Sequence, residues 1–248
     1  AGVGVAQALV TCDTGNVPSA RIIEAAQKEG SVSIYSATDS SEAAALIREF
    51  EDTYPGVRVD YADQNSTEIY SRFIAEVAAN QGTADLVWSS AMDLQIKLIN
   101  DGYAQAYASP EKPNLPDWAV WKNEGYGTTA EPLVIAYNKR LMPPEDVPRT
   151  RADLERLLRT KKDVYQGKVA SYDPERSGVG FLFISQDVQL SHDTWNLVEA
   201  LAGVGVRLYT STGAMMERLI SGEHLIVYNM IGSYALHRQK KDPSVGIV

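Results

Sequence analysis

The chain has 248 residues, 44% of them hydrophobic and 22% charged, and a net charge of −9. That is enough apolar material for a packed core and argues against a disordered chain. The acidic balance also argues against a nucleic-acid or membrane-surface protein, because such a surface repels phosphodiesters and anionic lipid heads; a small anionic ligand remains compatible, since it responds to the local field of its pocket.

Cys12 is the single cysteine, so no internal disulfide and no cysteine-built zinc or iron–sulfur site is expected. His192, His224 and His237 are dispersed without metal-ligand spacing and read as surface or half-buried polar residues. No apolar run of about 18 residues marks a membrane span. The opening Ala1–Val10 has the small, apolar character of an export-signal tail but lacks a positively charged region. Leu9-Val10-Thr11-Cys12 is similar to a lipoprotein cleavage box, with threonine where a smaller residue is usual.

Taken in chain order, residues 1–30 form an N-terminal extension ending in a short helix, Ala20–Lys28. Ser31–Ser36 alternates Val32 and Ile34 as a strand, and Ser41–Tyr54 carries Leu46, Ile47, Phe50 and Tyr54 at helical spacing before Pro55-Gly56 stops it. Val57–Tyr61 is a second strand. Asn65-Ser66-Thr67 caps a helix with Ile69, Phe73, Ile74 and Val77 on one face; a third strand, Ala84–Trp88, and a helix, Met92–Ile99, follow. Pro110–Gly125, rich in proline and holding Trp118 and Trp121, reads as irregular. A second run starts with a strand at Pro132–Tyr137 and a helix at Arg151–Leu158. It continues with a strand at Lys168–Ser171, helices from Gly178 and over Thr194–Ala202, and a helix at Thr212–Ile220 with Met215, Met216, Leu219 and Ile220 inward. His224–Tyr228 is a strand, Gly232–Gln239 a helix, and Val245–Val248 the start of a strand that implies further residues beyond it. Strands alternating with helices at short intervals imply βαβ units and mostly parallel sheets.

Four predicted helices open in small hydroxyl or glycine clusters: Ser36-Ala37-Thr38-Asp39-Ser40, Ser89-Ser90-Ala91, Ser177-Gly178-Val179-Gly180 and Ser211-Thr212-Gly213. Ligands of open parallel sheets bind at the carboxyl ends of the strands, where helix N-termini offer unpaired N–H groups and partial positive charge. Each cluster also serves as an ordinary N-cap. Ser36, Thr38, Ser89, Ser90, Ser177, Gly178, Ser211 and Thr212, with Arg176 as a fork for an anion, are therefore the candidate ligand-binding residues. No nucleophile elbow, phosphate-binding loop, dinucleotide fingerprint or carboxylate pair points to catalysis, so neither catalytic residues nor a cofactor are expected.

Ile34–Thr38, Ala84–Ser90, Ala136-Tyr137-Asn138-Lys139, Gly167-Lys168-Val169, Tyr172-Asp173-Pro174 and Ser221-Gly222-Glu223, in this order, resemble extracellular solute-binding proteins of the ferric-iron-transport-like group. The resemblance runs from about Ile22 to Val248. It implies a two-lobed α/β periplasmic binding fold, each lobe a mostly parallel sheet flanked by helices, joined by two chain crossings. Lobe 1 is expected over 31–127 and lobe 2 over 128–232, with 233–248 returning to lobe 1 and the rest of that lobe beyond the end. The implied protein is a periplasmic monomer that hands a small ligand to an ABC permease, with Asn229 at a crossing near that ligand.

Ferric relatives place two adjacent tyrosines after the His224–Tyr228 strand. Here Met230 and Ile231 stand there, and the first strand-end loop has no histidine. A hard ferric ion needs anionic oxygens. The chain resembles more closely other branches of the group, which take phosphorylated or phosphonate-bearing organic molecules, and that resemblance implies such an organic anion as the ligand; ferric iron or its chelate, and a sensory ligand-binding domain, are the alternatives.

Overall fold

The computed structural model describes residues 18–248; Cys12 and most of the expected N-terminal extension lie outside the described residues. The chain divides into two compact units. The first comprises the described part of Ala1–Gln64 with Ile69–Ser89 and Asp93–Thr128, and the second comprises Asn65–Glu68, Ser90–Met92 and Thr129–Val248.

In the first unit, α1 (Ala20–Glu29) leads into β1 (Ser31–Ser36), followed by α2 (Ser40–Thr53), β2 (Arg58–Asp63), α3 (from Ser66 to Ala78), β3 (Leu86–Trp88) and α4 (Met92–Asn100). Gly30, at φ 80°, ends α1 in a left-handed cap, a conformation glycine reaches without a Cβ penalty. The three strands pair in the order β2-β1-β3, all parallel, with Ser36 aligned with Asp63 and with Trp88. All three polypeptide turns that follow these strands therefore leave from the same sheet edge.

The stretch read as irregular contains a small hairpin, β4 (Val120–Trp121) and β5 (Gly125–Tyr126). Lys122 and Asn123 both have positive φ, 54° and 55°. With the Glu124 N–H bonded to the Trp121 carbonyl at 2.9 Å, they form the mirror-image turn whose twist suits a hairpin. Lys-Asn is a poor signature for that turn, which usually carries Asn-Gly, so the pattern was not legible.

The second unit begins with β6 (Leu133–Asn138), α5 (Arg151–Thr160), α6 (Lys162–Tyr165), β7 (Val169–Tyr172) and α7 (Gly178–Leu190). It ends with α8 (Thr194–Gly203), β8 (Arg207–Tyr209), α9 (Thr212–Ser221), β9 (Ile226–Ile231), α10 (Gly232–Lys241) and β10 (Val245–Ile247). Its sheet has the order β10-β6-β9-β7-β8, with β9, β7 and β8 mutually parallel and β6 antiparallel to both neighbours. The period of two sorts neighbouring residues into separate cores. Ile135, Val169 and Ile226 pack with Leu154, Leu158, Leu197 and Leu201, while Ala136, Ala170 and Val227 pack with Met215, Met216, Leu219 and Met230. The methionines of α9 are thus core filling, each fully buried and adding about 2 kcal/mol of burial.

Two buried carboxylates tie these layers together. Burial alone would raise the Asp146 carboxyl, but hydrogen bonds from Lys161 and Tyr165 hold it below its ordinary value. Asp187, 2% exposed, accepts from Arg151, from Tyr228 Oη at 2.8 Å and from Asn229 Nδ2 at 2.7 Å.

The structure departs from the sequence reading in four further places. Strand β9 runs on to Ile231, so Asn229, Met230 and Ile231 lie inside a fully buried strand where a crossing was expected. Residues 233–248, expected to return to the first lobe, pack with the second unit, because β10 joins its sheet beside β6. The three-residue β8 was not foreseen; it is too short to show an alternating pattern. His224, read as surface or half-buried, is 1% exposed.

Asn229 has φ 58°, at the register irregularity between β6 and β9, and its amide bond to Asp187 fastens this left-handed bulge. Replacing Asn229 by glycine keeps the backbone conformation and loses the bond, whereas alanine loses both. Thermal unfolding should show N229A less stable than N229G by about 1 kcal/mol; equal stabilities would contradict a left-handed backbone at this position.

Candidate anion-binding site

Parallel pairing of β7 with β8 puts Tyr172 opposite Tyr209. The turns that follow these residues therefore open α7 and α9 side by side at the carboxyl end of the sheet. They are locked to each other twice: the Asp173 N–H donates to the Tyr209 carbonyl at 2.9 Å, and the Tyr172 and Thr212 hydroxyls share a hydrogen bond. Asp173 shapes its own turn, its Oδ1 accepting from the N–H groups of Glu175 at 2.9 Å and Arg176 at 3.1 Å. The Arg176 side chain is exposed at this turn.

Both helices are capped by serine. Ser177 Oγ accepts from the Gly180 N–H and Ser211 Oγ from the Ala214 N–H, each at 3.2 Å. The Val179 N–H donates to Ser66 Oγ at 3.0 Å; Ser66 packs with this unit. The N–H groups of Gly178, Thr212 and Gly213 have no acceptor among the described residues. These donors sit at two helix N-termini, with Arg176 exposed on the turn before α7, and such termini suit phosphate or carboxylate. Ser177 is 1% exposed and Thr212 9%, so their side chains shape the turns, while Ser211, Gly178 and Arg176 remain accessible.

Close packing fixes this geometry. A Cβ on Gly180 would stand 2.8 Å from Tyr172 Cβ and 2.9 Å from the Asp173 carbonyl oxygen. Only glycine lets α7 start this close to β7.

The corresponding turns of the first unit are filled from within. Ser36, fully buried, accepts from the Thr38 N–H through Oγ at 3.1 Å. Asp63 Oδ2 takes the Ser40 N–H at 2.9 Å and its hydroxyl at 3.2 Å, so a carboxylate of the chain already occupies the N-terminus of α2. Asn65 and Glu68, which pack with the second unit, close α3 with a reciprocal capping box. Thr38 and Ser89 are half-buried and Ser90 exposed.

The clusters that look alike in sequence are thus unequal, and at α2 the difference is Asp63, whose role depends on β2 lying beside β1. The sequence reading also missed Gly213 and Asp173 as contributors to the open site. The Asp173-Pro174 turn dipeptide was the available signal for the latter.

Asn229 does not join this cluster through its amide N–H, which is committed to Asp187. Tyr228 is committed there too: burial, then the Asp187 charge, pushes its phenol well above the usual range, away from the phenolate a ferric ion would need. Met230 and Ile231 are buried in β9. Among the described residues, no group of three or more His, Cys, Asp or Glu side chains is placed to hold a metal ion, and no helix is long and apolar enough to cross a membrane.

Comparison with known proteins agrees with this architecture. The substrate-binding protein of an ABC transporter from Agrobacterium tumefaciens is 40% identical, with a TM-score of 0.85 over 88% of this chain and 64% of that one. This chain thus spans less than two thirds of that protein's length. Iron-bound HitA from Pseudomonas aeruginosa is 19% identical with a TM-score of 0.67, covering 88% of this chain and 68% of its own. AfuA from Actinobacillus pleuropneumoniae, a periplasmic binding protein solved with exogenous fructose-6-phosphate bound, is also 19% identical, with a TM-score of 0.70 over 89% of this chain and 69% of that one. At those two identities the likeness establishes the fold alone. A search of curated proteins gives no match. The profile described as bacterial extracellular solute-binding protein matches residues 45–248, and the chain belongs to that family.

Proposed function

We propose that this chain captures a small organic anion carrying a phosphate or phosphonate group, in the periplasm, and delivers it to an ABC permease. The observation that carries the reading is the pair of helix N-termini at β7 and β8, where the N–H groups of Gly178, Thr212 and Gly213 lack an acceptor among the described residues and Arg176 is exposed. The anionic group binds there, with Ser211 as a further donor. Its hydroxyl proton stays available because capping uses only an oxygen lone pair.

Asp63 makes the α2 terminus unsuited to an anion. The two units act as the lobes of a monomeric receptor. Ligand bound preferentially to one arrangement of the lobes shifts the population toward it, and the permease reads that shift. Ferric iron is the weaker reading, because Tyr228 is tied to Asp187 and adjacent phenols are absent at Met230-Ile231.

Calorimetry against sugar phosphates, phosphonates, polyamines and ferric citrate should give heat with a phosphorylated or phosphonate compound; heat from ferric citrate alone would sink the proposal. For a compound that binds, Arg176→Ala should weaken affinity by about ten- to a hundredfold, the worth of a charge-assisted hydrogen bond, with an unchanged unfolding temperature. Gly180→Ala should lower both the unfolding temperature and the affinity, because the added Cβ forces α7 away from β7. An unchanged affinity in G180A would show that the α7 terminus is not part of the site.

A further inference from the structure

Strand β8 is a three-residue sheet edge held by β7 alone, yet Tyr209 at its end anchors both turns of the proposed anion site. The Tyr209 carbonyl receives the Asp173 N–H at 2.9 Å, and two residues later Ser211 caps α9. What secures Tyr209 from the side-chain end is His224, whose Nε2 lies 2.8 Å from the phenol oxygen with the rings edge to face. The histidine is 1% exposed, and its Nδ1 has no hydrogen-bond partner.

This arrangement suits a neutral imidazole and penalises a protonated one. Protonation places a full charge on a buried ring, which costs free energy unless the ring turns out to reach water. The charges around it are mixed. Arg218, whose guanidinium lies over the Tyr209 ring at 5.0 Å, and Lys168 oppose the cation; Glu223 and the Gly167 backbone favour it. Burial outweighs all of these and holds the imidazole pKa below its ordinary value.

We propose that His224 is an acid-sensitive latch: protonation turns its ring away from Tyr209, frees the β8 edge, and loosens the turns at 173–178 and 210–213 that hold the ligand anion. The receptor would then retain ligand near neutral pH and release it in acid. The second half of this proposal rests on the anion site proposed above; the first half does not.

The sign follows from linkage. Below about pH 6.5 an unfolded or locally opened histidine takes up a proton while the closed one does not. The closed state therefore loses stability as pH falls through that window, by up to about tenfold in the opening equilibrium per pH unit, until the closed-state pKa is reached.

Hydrogen exchange of the intact chain, corrected for intrinsic rates, tests the latch without any ligand. Protection of the segment's hydrogen-bonded amides, those of Asp173, Ala214 and Met215, should fall between pH 7.5 and 5.5, while protection in β6 stays constant. His224→Gln cannot titrate and keeps a donor for Tyr209, so it should abolish the pH dependence; Tyr209→Phe should loosen the segment at both pH values. A wild-type segment equally protected at both pH values, or a pH response that persists in H224Q, would overturn the latch. Should exchange respond as expected while anion affinity does not fall in acid, the link from latch to release is overturned, separately from the binding site itself.

Discussion

Everything proposed for this molecule depends on one alignment: β7 and β8 run parallel and in register, so that two helices begin beside each other from the same end of one sheet. Parallel strands send their chains out in the same direction, and the helices that follow turn their N-termini back toward the edge they left. The pairing turns two ordinary capped helices into a joint concentration of amide hydrogens. The Asp173–Tyr209 and Tyr172–Thr212 bonds then hold the two turns at a fixed spacing. A protein with net charge −9 can attract an anion on these terms, because the donors act over a few ångströms while the distant surface charge is screened by salt.

The same rule gives the opposite result in the first unit. There β1 and β2 are also parallel and in register, but the residue at the end of β2 is Asp63, and its carboxylate settles on the N-terminus of α2. One side chain decides whether a strand-end turn is open or self-satisfied. The strand-end turns of the two units thus offer different chemistry. The buried Asp187 cluster does the analogous work inside the second unit, where it draws Tyr228 and Asn229 away from any ligand and fastens the bulge in β9.

The long elements were legible because each obeyed a single local rule. Ser31–Ser36 alternates and forms β1 over those residues; Met215, Met216 and Leu219 lie at helical spacing and fill the core beneath α9. Features that depend on partners distant in sequence were not legible. The hairpin turn at Lys122-Asn123 lacks the usual glycine, β8 is too short to show a period, and β9 continues past its expected end because β6 pairs with it as far as Ile231. For the candidate site, the sequence pointed to four loops but could not rank them. The burial of Ser36 and Ser177, the carboxylate at Ser40 and the commitment of Asn229 to Asp187 are all tertiary facts. The chemistry of a turn was visible in its residues; its availability was not.

The most direct test of the account is to follow backbone amide resonances by nuclear magnetic resonance while a phosphorylated or phosphonate compound that binds is added. The account predicts that the Gly178, Thr212 and Gly213 amides move together and saturate with one affinity, while the Ser40 amide, already bound to Asp63, moves little. Saturating shifts centred on Ser40, or on Tyr228 and Tyr234, with Gly178, Thr212 and Gly213 unmoved, would contradict it.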